Sequence, residues 1–262
     1  MKKFLAMLKT DFYRAFLSTG FVIGIASTVA IFYFGSVGMK THNDSAVAAF
    51  NNTYKYNNIS QLLFLTATFA YSAGFCIDWQ TRFTYPLIIR SKTNAYMLSK
   101  CITAAVTGGL SVATGAFIFI SCICLTQPSI LPQPLEINVE FSSQAFGDLL
   151  VAGQAGLFFL SYLYIIFLSA AFFSSLGLLV SGYLPNKYAA YIAPFTLGFM
   201  MNQIANMLHL PIWLDPVKLS TAKIFNASTS TILLRATTTL LSFTIICAVL
   251  FIYKAKRRIS NG

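Results

Sequence analysis

The stretch Asp78-Trp-Gln-Thr-Arg82-Phe-Thr-Tyr-Pro86-Leu-Ile-Ile-Arg90-Ser-Lys92-Thr-Asn-Ala-Tyr96-Met-Leu-Ser-Lys100 lies between two strongly apolar runs. It sets four bases, Arg82, Arg90, Lys92 and Lys100, against a single acid, Asp78. A soluble domain carries roughly a quarter charged residues. This chain of 262 residues carries 10%, with 56% apolar residues and a mean hydropathy of +0.69. So little charge places the chain in the membrane class, and residues 78–100 then join two membrane-spanning helices. The formal net charge of +11 does not point to nucleic acid, because the bases gather at the ends of apolar runs rather than along one stripe.

On the N-terminal side of the stretch, Gln61–Ile77 with its flanks predicts a span over about 60–78. On the C-terminal side the next span covers about 101–125, with Gly108, Gly109 and Gly115 allowing close helix approach. Residues 2–18 place Phe4, Leu5, Leu8, Phe12 and Phe16 at helical spacing among Lys2, Lys3, Lys9, Asp11 and Arg14. That pattern predicts an amphipathic helix in the membrane interface, or an extension of the first span. The opening residues imitate a signal peptide, but Lys9, Asp11 and Arg14 interrupt the apolar run, so they read as part of the mature chain. The uncharged run Ala15–Met39 gives a span over about 20–39. Lys40–Ser60 reads as a polar loop, in which Asn51-Asn-Thr and Asn58-Ile-Ser match the glycosylation pattern.

Further on, Pro128, Pro132 and Pro134 with Glu136, Glu140 and Asp148 predict a second long loop. Leu149–Asn186 is uncharged throughout and holds a span over about 157–181. Gly182–Lys187 is a tight break, and a span over about 188–208 follows, kinked at Pro194. His209–Thr231 is irregular yet keeps Ile212, Trp213, Leu214 and Ile224, as a segment on the membrane surface would. A last span over about 232–253 ends in the bases Lys254, Lys256, Arg257 and Arg258. The expected fold is therefore an all-α membrane protein of six spans.

Charge sets the orientation. With both termini inside, thirteen of the eighteen bases fall inside, and the outside keeps Lys40, Lys55, Lys218, Lys223 and Arg235. Five of the seven acids, Asp44, Glu136, Glu140, Asp148 and Asp215, fall outside. This is the positive-inside asymmetry. Splitting Leu149–Asn186 into two spans would move Lys187 and the four C-terminal bases outside, for a return of three at most. One crossing fits better. Arg235 then lies near the outer end of the last span and snorkels to the headgroups, since at the bilayer centre it would cost about 2.5–3.5 kcal/mol.

The chain shows no phosphate-binding loop, no HExxH and no GxSxG motif. His42 and His209 fall in loops, and the five cysteines lack metal-ligand spacing. No catalytic residue, metal site or cofactor is expected in this chain. No charge falls at the middle of a span, where an ion-coupled carrier needs one. Asn202, Gln203 and Asn206 near the outer end of the fifth span could line a substrate path or hydrogen-bond between helices.

Within 78–100, Asp78 and Arg82 have the i, i+4 spacing of a helical ion pair, and Pro86 interrupts or restarts the helix. Leu87, Ile88 and Ile89 between Arg82 and Arg90 suit a short helix along the membrane face. Read by charge alone, the same residues are a solvated loop. The layout as a whole resembles the permease subunit of type-2 ATP-binding-cassette exporters. The shared features are the interfacial N-terminal helix, six spans, the acid–Arg–Lys stretch after span two and a broken outer segment between spans five and six. That resemblance implies a cytoplasmic coupling helix between spans two and three. Asp78, Arg82, Leu87, Ile88, Ile89, Arg90 and Lys100 would then serve coupling to a separate ATPase. It also implies that ATP and Mg are bound by that partner, that a second permease copy completes the path, and that the chain sits in the bacterial cytoplasmic membrane. Spans with aromatic and small polar groups but no buried charge lead to the expectation of an amphipathic or apolar cargo, and the similarity in size to permeases that export antimicrobial or cytolytic peptides implies a peptide, an antimicrobial or a drug-like compound. The competing expectations are a secondary carrier or channel working without an ATPase, and a non-transporting immunity or scaffold protein.

Overall fold

A computed structural model describes residues 2–37, 45–56, 59–91, 93–134, 141–222 and 227–261. Lys40, His42, Asp44, Asn57, Asn58, Lys92, Glu136, Glu140, Lys223 and Ile224, which the sequence reading uses, lie outside the described residues, as do the side chains of Lys55, Ile89 and Arg90. The described residues form helices and turns only: α1 Lys2–Phe16, α2 Thr19–Val37, α3 Ala46–Tyr56, α4 Ile59–Phe69, α5 Gly74–Gln80, α6 Thr84–Ser91 and α7 Thr93–Thr126. Then come α8 Gly147–Val151, α9 Ala155–Tyr183, α10 Lys187–Met207, α11 Pro216–Ser220 and α12 Thr229–Asn261.

Among the described residues, five segments are long and apolar enough to cross a membrane: Thr19–Val37, Gln61–Gln80, Thr93–Thr126, Ala155–Tyr183 and Thr229–Ser260. They mark a multi-pass membrane protein. The helix α10, over the expected fifth span, has spanning length, but Asn202, Gln203 and Asn206 near its end dilute its hydropathy and it falls outside that set. The uncharged run after Leu149 contains one long helix, α9. Its end is fixed by the extended Leu184-Pro185-Asn186, where Asn186 caps α10 by accepting from the Tyr188 N–H at 2.9 Å.

The spans α7 and α9 form the centre. They approach so closely at Gly108 that a Cβ there would sit 2.3 Å from the Ser174 Cβ. Ser174 uses this closeness to donate to the Ala104 carbonyl at 2.7 Å. Small residues let helices gain packing and hydrogen bonds where lipid offers no hydrophobic drive. The second span is two helices, α4 and α5, separated by a turn at 70–73. Ser72 in that turn bonds the Ser174 carbonyl at 3.1 Å, so the break is tied to α9.

The segment Lys40–Ser60 departs from its expected loop. Residues 46–56 form α3, and Ala46, Phe50 and Tyr54, spaced four apart, are buried in the larger core. The asparagines masked this helical face. Asn51 is itself buried and donates to Gln144 Oε1 at 2.6 Å, so the glycosylation match there is closed to solvent. After α10 come a 3-10 turn at Ile212–Leu214 and α11, capped by Asp215 through the Val217 N–H at 2.9 Å. The C-terminal bases are helical. They continue α12, with Phe251 and Ala255 buried between them and the core.

Candidate functional site

At one end of the bundle α1, α5, α6 and the start of α7 meet around a smaller core that includes Met7, Phe75, Met97 and Phe251. Inside it lies a closed cluster of ions. Lys100, with a side chain 0% exposed, sits 3.0 Å from Asp11 Oδ1 and 2.7 Å from Asp78 Oδ2. Asp11 is equally buried and Asp78 is 1% exposed. Arg14 completes the set, donating to Asp78 Oδ1 at 2.8 Å. Two acids therefore face two bases, and the cluster is neutral as a unit.

Hydroxyls fill the remaining positions around the carboxylates. Tyr71 donates to Asp11 Oδ1 at 2.7 Å, and Ser99 donates to Asp11 Oδ2 at 2.6 Å. Tyr96 donates to Asp78 Oδ2 at 3.0 Å, while Lys100 donates to the Tyr71 hydroxyl at 2.6 Å. The Lys100 ammonium also lies 4.8 Å and 5.3 Å from the ring centres of Tyr71 and Tyr96. A buried charge survives only when paired and fully hydrogen-bonded. Here both conditions hold for Lys100, and each carboxylate has one ammonium and at least one hydroxyl.

The local sequence explains who reaches the cluster. Asp11 and Arg14 stand one turn apart on α1, so one helix face offers both an acid and a base. Tyr71 lies in the break between α4 and α5, and Asp78 one and a half turns beyond it. Tyr96, Ser99 and Lys100 share a face of α7. The cluster thus rivets the N-terminal helix, the end of the second apolar segment and the start of α7. Arg14 is its half-exposed arm. Burial opposes the Arg14 charge, but the Asp78 carboxylate outweighs it, and the guanidinium is held above its ordinary pKa.

The residues expected to serve coupling separate into two groups. Asp78 and Lys100 belong to the buried cluster, so neither offers a surface for docking. The expected Asp78–Arg82 pair is not formed. Arg82 adopts a left-handed backbone, φ 56°, in the turn after α5, which ends the helix before the side chains can meet, and it is exposed. Pro86 restarts the chain as helix: it is the third residue of α6, inside the first turn where an amide hydrogen has no helical acceptor. Leu87 and Ile88 are half-buried against the smaller core. Ile89 and Arg90 belong to α6.

Asn202 is half-buried and Gln203 and Asn206 are exposed near the far end of α10, away from the cluster. Sequence reasoning missed Asp11, Arg14, Tyr71, Tyr96 and Ser99. The available signal was a lone acid in an otherwise basic amphipathic helix, with a lysine at the mouth of an apolar run to match it. Among the described residues no group of His, Cys, Asp or Glu comes together as a metal site. All five cysteines are free thiols. Comparison of the chain with protein-family models, with curated proteins and with solved structures finds no match.

Proposed function

We propose that this chain is the permease subunit of an ATP-driven exporter in the bacterial cytoplasmic membrane. It works with a separate ATPase, which binds ATP and Mg, and with a second permease copy, identical or related. The termini and α6 face the cytoplasm, six crossings are made with α10 as the fifth, and α6 is the coupling helix. An amphipathic or apolar cargo suits spans that carry aromatic and small polar groups. The reading rests on one observation: α6 is short, lies beyond the last turn of α5, and ends at Ser91, just before α7, whose Lys100 sits in the ion cluster. A push on α6 from an ATPase would pass through Leu87 and Ile88 into the smaller core and reach α1 and α7 together, because Asp11, Asp78 and Lys100 there are one bonded unit.

On this reading Asp78 and Lys100 transmit force, while Leu87, Ile88, Ile89 and Arg90 receive it. The experiment is co-purification of the chain with an ATPase encoded beside it, for wild type and for Ile88→Asp and Arg90→Glu. Loss of the ATPase from both variants is expected. Unaltered association and transport in both would overturn the role of α6. Purified chain that moves cargo in liposomes without ATP or a partner would replace the reading with a secondary carrier.

A further inference from the structure

At the same end as the ion cluster but outside it, the C-terminal turns of α12 and the end of α9 enclose an open pocket of about 410 Å³. Its walls are Gly182, Tyr183, Lys254, Arg257 and Arg258. Arg258 is fixed in place: it donates to the Gly182 and Tyr183 carbonyls at 3.1 Å and 3.3 Å, capping the negative end of α9, and its guanidinium lies 5.4 Å from the Trp79 ring centre. Lys254 stands 4.6 Å from the Tyr183 ring centre. Among the described residues, neither Lys254 nor Arg257 has a carboxylate partner. The acids at this end, Asp11 and Asp78, are occupied by Lys100 and Arg14. Among the described residues, three cations therefore share one concave site with no carboxylate to answer them.

The surroundings give the depth of the site. Tyr183 in its wall is 50% exposed and Tyr253, next in sequence to Lys254, is 64% exposed, with Trp79 against Arg258. Exposed tyrosines and tryptophans at the end of apolar helices mark the headgroup level of a membrane. The stripe Ile246, Leu250, Tyr253 and Arg257 runs along one face of α12, and its apolar members are exposed. A path suited to acyl chains thus ends in a pocket suited to a phosphate.

We propose that this pocket holds the headgroup phosphate of an anionic phospholipid, with its acyl chains along the Ile246–Leu250–Tyr253 face. The lipid then bridges α9 and α12 and neutralises Lys254 and Arg257. Basic pockets between spans at the membrane surface recognise anionic headgroups through the same attraction. The proposal does not depend on the ATPase reading.

The test uses the purified full-length chain in detergent. Thermal midpoint and lipid retention by native mass spectrometry are measured with phosphatidylglycerol, phosphatidylcholine and glycerol phosphate. Phosphatidylglycerol is expected to raise the midpoint and remain bound, and the other two are not. Lys254→Gln with Arg257→Gln should keep the lipid-free midpoint and weaken phosphatidylglycerol binding roughly 30-fold. Arg257→Lys, which keeps the charge, should retain most of it. Equal retention by the double variant, or an equal shift with phosphatidylcholine, would overturn the proposal. An equal shift with glycerol phosphate would also overturn it, by making the pocket a site for a free anion.

Discussion

The two ends of the molecule are held by different forces. Where α1 meets α7, the fastening is Asp11, Arg14, Asp78 and Lys100, with hydroxyls between them. At the far end it is a stack of rings. Phe32 lies 5.0 Å from Phe119, and Tyr162 lies 5.3, 5.0 and 4.9 Å from Phe50, Phe146 and Phe158. Rings tolerate small shifts, because dispersion and burial fade gradually with distance. A buried ion pair does not: it is whole or it exposes a bare charge to an apolar core. The ring end can therefore lose a little contact without losing all of its packing. The ion end suits a joint that moves as one piece.

The sharpest way to break that contrast is Lys100→Met. It leaves two buried carboxylates with only Arg14 to answer them, and should cost about 3–5 kcal/mol. The readout is the thermal midpoint in detergent, and adding Asp11→Asn should recover part of the loss. A single variant as stable as wild type would mean the ions hold nothing. Next is Phe50→Ala at the other end, expected to cost about 3 kcal/mol through the cavity it leaves, while Phe50→Leu costs about 1 kcal/mol. Partial rescue by the conservative change distinguishes the rings from the ions, where no partial charge exists.

Arg14→Gln comes third. Its partner Asp78 keeps Lys100, and Arg14 is half exposed, so stability should fall by no more than about 1 kcal/mol. On the proposed reading, transport with the partner ATPase should fall much further than the midpoint does. Parallel losses would make Arg14 merely structural. The smallest effect belongs to Asp148, which accepts from the Thr229 N–H at 3.0 Å and so ties α8 to the start of α12. Burial works against its charge, but the bonds from Thr229 prevail and hold its carboxyl below the ordinary value. Its contribution is therefore full at neutral pH and declines as pH falls through the ordinary carboxylate range, about 3.9, and below. Asp148→Asn should flatten the acid limb of the midpoint-against-pH curve slightly, and an unchanged limb would exclude the effect.

The helical class and the apolar segments were legible in the sequence because twenty uncharged residues have few other uses. The helix α3 was not, since asparagine and threonine obscured a face made by Ala46, Phe50 and Tyr54. The cluster was half legible. Asp78 and Lys100 stood out as charges, but local spacing suggested Arg82 as the partner, and the true partners lie 64 and 89 residues from their mates. No periodicity reports a pairing across that distance. Arg14 and Asp11 looked like ordinary decoration on an interfacial helix until tertiary contact gave each a specific mate.

Lys100 is also a matter of timing. Asp11 leaves the ribosome 89 residues before the lysine that neutralises it. Until Lys100 is made, Asp11 has only water to answer its charge. Only when the third apolar rod arrives can water be squeezed out and the joint close. A chain shortened by α1 would therefore deliver Lys100 to a pocket with one of its two carboxylates missing.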